Sequence, residues 1–182
     1  MAENLQDLRR RINSVKNTRK ITQAMKTVSA AKLGRSVSRL KWVRPMMEKI
    51  EEMLDRVSHG PKIKDHSFLR ERESGETVIA VISSDKGLCG AFNSHIIERA
   101  QELFDQLREE GENPTLMTIG KKVDNYFKKR QYPVKKSYTG MMSSLKYSDV
   151  KELSAYLQDI YLDESKSIKK IEFIYTGFLS AS

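Results

Sequence analysis

Residues 5–57 read LQDLRRRINSVKNTRKITQAMKTVSAAKLGRSVSRLKWVRPMMEKIEEMLDRV, and this stretch decides the architecture of the chain. It contains one glycine, Gly34, and one proline, Pro45, among residues that favour helices, chiefly Ala, Lys, Arg, Met and Leu. One continuous helix is predicted, with a local kink at Pro45, because proline lacks a backbone donor. At 1.5 Å per residue this helix would be about 80 Å long, more than a compact domain of this size can bury. The helix is therefore expected to project.

Apolar residues in the helix recur at intervals of three and four, which is the spacing of a coiled coil. In the middle of the helix they thin to Ile21, Met25 and Val28 among alanines, which would let another surface approach closely. The chain supplies no second helix of similar length, so either another molecule covers this apolar stripe or the chain was cut short. The other members of the stripe are Leu5, Leu8, Ile12, Val15, Leu33, Val37, Leu40, Val43, Met47, Ile50, Leu54 and Val57.

Positive charge is concentrated in the same helix. Residues 8–47 contain 12 Lys or Arg and no Asp or Glu, and residues 1–60 carry 14 Lys or Arg against 6 Asp or Glu. Solvated helices usually mix both signs, because opposite charges four residues apart stabilise a helix and like charges repel. A face that binds an acidic protein or phosphate is therefore favoured over a face that only meets water.

The remainder of the chain has the pattern of a small α/β domain. Residues 61–76 are polar and aperiodic, and they are predicted to link a helical domain at 1–60 to an α/β domain at 77–182. The run Thr77–Ser83 is apolar and rich in β-branched residues, which is typical of a strand buried on both faces. Alternating strands and helices predict a mostly parallel, Rossmann-like sheet with helices on both faces. The further predicted elements are a helix capped by Asn93 that runs to Glu110, a strand Thr115–Ile119, a helix with Val123, Tyr126 and Phe127, a helix opened by Ser148, and a strand Lys170–Tyr175.

No catalytic, cofactor or metal site is predicted. The loop Ser84–Asn93 follows the first strand, where α/β domains often hold phosphate, but it matches neither glycine-rich phosphate motif. It is interpreted as a tight turn that also contacts a partner. A catalytic Cys89 would need a histidine base and an orienting group, and His59, His66 and His95 form no such set and no metal-ligand spacing.

The cellular compartment is suggested by what the sequence does not contain. A single cysteine excludes an internal disulfide and suits a reducing compartment. No stretch approaches the length of an apolar membrane span, and the N-terminus lacks the apolar core of a signal peptide. The chain is expected to be cytosolic and soluble.

Two long motifs resemble those of one family. The segment Ile12–Leu33, INSVKNTRKITQAMKTVSAAKL, is similar to the N-terminal helix of F-type ATP synthase gamma subunits, and Ser84–Asn93, SDKGLCGAFN, resembles that family's loop after the first strand. The resemblance extends more loosely through Arg44-Pro45 and Ile171–Tyr175. It implies that the helix pairs with a C-terminal helix of the same chain inside a ring of alpha and beta subunits. The chain, which ends at Ser182, is expected to be truncated before that second helix.

The same resemblance implies a non-catalytic rotor subunit that couples proton flow to ATP synthesis or hydrolysis. The α/β domain would contact the epsilon subunit and the membrane c-ring, so the chain would be peripheral at the cytoplasmic face of the cell membrane, associated only through the complex. Chemistry would belong to beta, and no cofactor is implied here. The residues expected to contact acidic loops of beta are Lys16, Arg19, Lys20, Met25, Lys26 and Lys86.

Two other functions remain open from the sequence. A basic coiled-coil protein could lay its positive helix along nucleic acid, although Trp42 is the only aromatic residue in the basic stretch. An α/β enzyme with a helical dimerisation arm is the second alternative, and the missing active-site residues argue against it. Gly34 departs from the family pattern and would soften the helix by up to about 1 kcal/mol.

Overall fold

The computed structural model describes residues 2–60, 63 and 66–178 of the chain. The chain divides into two compact units, residues 1–64 and residues 65–182. Each unit has its own architecture, helical in the first and α/β in the second.

The first unit is built on one helix, α1, which spans Ala2–Ser58 and includes Pro45 in its interior. The prediction of a single long helix is confirmed. Three threonines in α1 donate a hydrogen bond from the hydroxyl to the backbone carbonyl four residues earlier. The shortest of these bonds runs from Thr22 Oγ1 to the Thr18 carbonyl at 2.9 Å. The apolar stripe is open to solvent within this unit, and Leu5, Ile21 and Leu54 are each at least 60% exposed.

The second unit contains a four-stranded sheet in which every neighbouring pair is parallel. Its spatial order is β3-β2-β1-β4, so β1 and β2 are the inner strands. This confirms the predicted α/β class with a parallel sheet. The elements are β1 (Glu76–Ile82), α2 (Phe92–Glu109), β2 (Thr115–Ile119), α3 (Lys121–Lys129), β3 (Val134–Tyr138), α4 (Tyr147–Leu162) and β4 (Ile168–Ile174), with short 3-10 turns at Met141–Ser143 and Glu164–Lys166.

Two apolar cores lie on opposite faces of this sheet, because successive side chains of a strand point to opposite sides. On one face Ile79 and Val81 of β1 pack with the buried side chains of α2 and α3. On the other face Val78 and Ala80 pack with Met117, Ile119 and residues of α4. All four of these β1 side chains are at most 2% exposed, which explains the continuous apolar run in the sequence.

The segment before β1 lies against the second unit. The Phe68 ring stacks on Tyr161 of α4 with centroids 5.6 Å apart. The Arg72 guanidinium lies 4.2 Å from the centroid of the same tyrosine ring and donates to the Ile168 carbonyl at 2.6 Å. Residues 66–75, although they form no helix or strand, are therefore held by aromatic and cationic contacts.

One detail of the sequence prediction is wrong, and one strand was missed. Asn93 does not cap α2, because the helix begins at Phe92 with Ala91 as its cap residue, and the Asn93 side chain instead accepts a hydrogen bond from the Ser84 amide. The strand β3 was not predicted. Its sequence VKKSY places two lysines on an edge strand, where charge is tolerated and discourages further pairing.

Gly120 joins β2 to α3 at a place where no side chain fits. Its φ is +109°, and a Cβ there would lie 2.3 Å from the Ser83 carbonyl oxygen. Gly111 provides a matched control, because its φ of +85° is also left-handed but nothing lies within 4 Å of the added carbon.

We expect Gly120→Ala to lower the free energy of unfolding of the second unit by at least about 2 kcal/mol more than Gly111→Ala does, because only the former adds a clash to the backbone strain. Urea unfolding followed by tyrosine near-UV circular dichroism measures this, since all 7 tyrosines lie in the second unit. Equal losses in the two variants would contradict the close approach of Gly120 to Ser83.

Candidate functional site

The predicted contact cations of α1 lie on one side of the helix. Lys16, Arg19, Lys20 and Lys26 are all exposed. At about 100° per residue they fall within an arc of about 120°. Met25 is also exposed, but it falls on the opposite side, where it follows Ile21 by four residues and precedes Val28 by three. The structure therefore groups the cations and assigns Met25 to the apolar stripe.

This cationic side has no carboxylate nearby in its own sequence, because residues 8–47 contain neither Asp nor Glu. Further along α1, Lys49 pairs with Glu52 at 2.7 Å, where carboxylates are present in the sequence. Lysine and arginine are good helix formers, so the helix tolerates this charge, but the like charges repel one another. Binding of an acidic surface would relieve that repulsion.

The sixth predicted contact residue, Lys86, lies in the second unit. It belongs to the loop Ser84–Asn93, which we call the Lys86 loop and which leaves the carboxyl end of β1. The side-chain Oδ1 of Asn93 accepts from the Ser84 backbone amide at 3.1 Å and lies 3.0 Å from the Ser84 hydroxyl, while the side-chain Nδ2 of Asn93 donates to the Cys89 sulfur at 3.0 Å. These contacts close the two ends of the loop on each other.

Asp85 fixes the Lys86 loop to the rest of the sheet edge. Its Oδ1 accepts from the backbone amides of Lys121 at 3.0 Å and Gly140 at 2.9 Å. Its Oδ2 accepts from the Ser143 amide at 3.0 Å and the Ser143 hydroxyl at 3.2 Å. Partial burial alone would raise the pKa of Asp85, but the hydrogen bonds from Gly140, Lys121 and Ser143 together outweigh it and lower the pKa. The carboxylate is therefore held in its charged form.

The tip of the Lys86 loop carries exposed side chains on a constrained backbone. Lys86 and Cys89 are exposed, and Leu88 is 93% exposed with a left-handed φ of +63°. A non-glycine residue in this conformation costs free energy and persists where its surroundings hold it. Leu88 is therefore held away from both cores of the second unit and is available for contact.

A second polar cluster, not predicted from the sequence, attaches α3 to β2 and β3. Asp124 is 7% exposed, and its Oδ1 accepts from the hydroxyls of Thr118 at 2.7 Å and Ser137 at 2.6 Å. Lys128 pairs with it at 3.0 Å. Burial raises the pKa of Asp124, and the hydrogen bonds from Ser137, Thr118 and Lys128 outweigh it and lower the pKa. Its only sequence signal is the position of an acidic residue in the first turn of a helix.

Comparisons with known proteins cover nearly the whole chain. A family model described as ATP synthase matches residues 4–182. The ATP synthase gamma chain of Crocosphaera subtropica is 37% identical over 179 residues, which are 97% of this chain and 56% of the relative. That of Pelotomaculum thermopropionicum is 37% identical over 176 residues, covering 97% of this chain and 60% of the relative. This chain belongs to the ATP synthase gamma chain family. It spans little more than half the length of these relatives.

Membership of the gamma chain family confirms the resemblance drawn from the two sequence motifs. A solved structure supports the fold alone. The central stalk and c-ring of the Tetrahymena thermophila mitochondrial ATP synthase matches with a TM-score of 0.57 at 23% identity, over 76% of this chain and 59% of that chain.

The described residues contain no group of three or more His, Cys, Asp or Glu placed to hold a metal ion. Over the same residues, no helix has both the length and the apolar character needed to span a membrane. The described residues present two separate surfaces of exposed cations and apolar side chains, one on α1 and one on the Lys86 loop.

Removing the Asp85 carboxylate should free the amides that it holds. We expect Asp85→Ala to speed hydrogen exchange of the Gly140 and Ser143 amides by at least about ten-fold, because each loses a charge-assisted bond. Exchange measured by NMR on the full chain tests this. Asp149→Ala is the control: Asp149 accepts from the Lys146 amide at 3.0 Å, so only that amide should respond. Unchanged exchange at Gly140 would contradict the role of Asp85.

The lowered pKa of Asp85 also determines how the stabilisation provided by its carboxylate changes with pH. Because the folded pKa lies below the ordinary value of about 3.9, the stabilisation is complete above that value and is lost as the pH falls through the folded pKa. We expect the Gly140 amide proton shift to titrate with a midpoint below about 3.9, and Asp85→Asn to abolish this titration. NMR measures it, with tyrosine circular dichroism marking the range in which the unit stays folded. A midpoint at or above the ordinary value would contradict the assignment.

Proposed function

We propose that this chain is the central-stalk, or rotor, subunit of an F-type proton-translocating ATP synthase. The observation that carries the proposal is the carboxylate-free cationic side of α1 in a chain of the gamma family. In this role α1 lies inside a ring of alternating alpha and beta subunits. Its rotation couples proton flow to ATP synthesis or hydrolysis.

The residues proposed to contact beta divide between the two units. Lys16, Arg19, Lys20 and Lys26 share one side of α1, and Lys86 projects from a loop whose ends are closed by Asn93. Acidic loops of beta are the matching surface for both. Met25 is proposed to contact the partner as an apolar residue, since it lies away from the four cations.

The chain is proposed to be non-catalytic, with the chemistry of ATP carried by beta. The proposal is supported by the relationship to ATP synthase gamma chains, which are named as one chain of that enzyme. The α/β unit is proposed to contact the epsilon subunit and the membrane c-ring. The chain would then be peripheral at the cytoplasmic face of the cell membrane, associated through the complex.

Apart from its sparse middle part at Ile21, Met25 and Val28, the apolar stripe of α1 is proposed to pack against a second helix in the assembled enzyme. Leu5 and Leu54, which are both at least 60% exposed, belong to this stripe and leave apolar surface that water disfavours. Coiled-coil spacing makes a helix the matching occupant.

Charge reversal on α1 tests the rotor proposal. We expect Lys20→Glu with Lys26→Glu to weaken binding of the full chain to an assembled alpha/beta ring by about ten-fold, because two pairs are lost and like charges are introduced. Glutamate favours helices as lysine does, so α1 should persist in circular dichroism. Affinity for the purified ring, measured at low and at physiological salt, is the readout.

The matched control is Lys49→Glu with Arg56→Glu, which makes the same change of charge in the same helix but outside residues 8–47. It should bind within about two-fold of the unchanged chain, since its sites lie where carboxylates are already present. Equal binding by both double variants would overturn the proposed contact face. Salt-sensitive retardation of duplex DNA, with no binding to the ring, would favour a nucleic-acid surface instead.

A further inference from the structure

The loop that follows β3 carries exposed apolar side chains that neither core of the second unit uses. We call residues 139–147 the Met142 loop. Met142 is 41% exposed, Leu145 56% and Tyr147 83%. The neighbouring Met141 packs against the core beside α4, so the base of the loop is anchored while its outer side chains face solvent.

Asp85 joins the Met142 loop to the Lys86 loop. Its carboxylate accepts from the Gly140 and Ser143 amides of the former while its backbone belongs to the latter. It also accepts from the Lys121 amide at the start of α3. Because β1, β2 and β3 are adjacent and parallel, the loops at their carboxyl ends lie along one edge of the sheet. Asp85 therefore ties three successive loops into one surface.

This surface is cationic as well as apolar. Four exposed lysines lie in or beside the three loops: Lys86, Lys121, Lys122 and Lys146. Asp85 is the sole carboxylate in residues 84–91, 120–122 and 139–146, and each of its oxygens already accepts two hydrogen bonds. These loops therefore provide no other carboxylate to pair with the lysines, and the positive charge is available to an outside partner.

We propose that the Lys86 loop, the start of α3 and the Met142 loop form one docking surface for an acidic protein surface that also offers an apolar contact. The proposal rests on the proposed function, in which that acidic surface belongs to the alpha/beta ring. Leu88 and Leu145 favour a protein over nucleic acid, because phosphates provide no contact for aliphatic side chains. Tyr147 agrees with this, since tyrosine is enriched among the residues that carry the binding energy of protein interfaces. Asp85 acts as a positioning residue, since its oxygens face the loops and not the partner.

The experiment compares apolar substitutions on and off this surface. The test variant is Leu145→Ser with Tyr147→Ser, and the control is Leu162→Ser with Tyr175→Ser, whose side chains are 44% and 66% exposed in the same unit. Affinity for the purified alpha/beta ring should fall about ten-fold in the test variant and stay within about two-fold in the control. Near-UV circular dichroism of the remaining tyrosines verifies the fold of each.

Hydroxyl-radical footprinting of the unchanged full chain, alone and with the ring, separates this proposal from the proposed function. Protection of Met142 and Tyr147 together with α1 supports the docking surface. Protection of α1 without Met142 and Tyr147, or full affinity in the test variant, overturns the docking surface and leaves the rotor proposal standing. Protection of neither unit overturns both, and protection of this surface by duplex DNA alone overturns the protein partner.

Discussion

The second unit depends on the burial of β1 on both of its faces. Thr77 to Val81 are all at most 2% exposed, and β1 pairs with β2 on one side and with β4 on the other. A parallel strand in this position needs helices above and below it, and α2 with α3 on one face and α4 on the other meet that need. The positions of the loops at the carboxyl end of the sheet depend on this arrangement.

Elements with a strong apolar signal could be predicted from the sequence. The strands β1 and β2 and the helix α2 follow from apolar runs and from helical spacing, and α1 follows from fifty residues or so of helix-forming composition. β3 could not be found in this way, because an edge strand buries little and VKKSY carries more charge than apolar surface. Asn93 was predicted as an N-cap because asparagine is favoured at that position. In the structure its side chain accepts from the Ser84 amide across the loop instead of capping α2.

The sequence pointed to exposed cations of the candidate site, but it did not point to the carboxylates that hold the surrounding backbone in place. Lys16, Lys20 and Lys86 belong to motifs that resemble a family, so the sequence alone pointed to them. Asp85 bonds to amides that lie 36 to 58 residues further along the chain, and Asp124 meets Ser137 across the gap between a helix and a strand. Contacts of this range depend on the register of parallel strands, which no local pattern of residue types encodes.

If the proposed rotor function is right, the exposed cations of α1 have a mechanical consequence. An exposed ion pair contributes at most about 1 kcal/mol, which is close to thermal energy. The threonine hydroxyls on the same helix already bond to its own backbone, so they do not demand a fixed outside partner. A shaft with such a face can lose one contact and gain the next without passing through a deep minimum. In the proposed rotor, α1 would act as a bearing surface with low static friction.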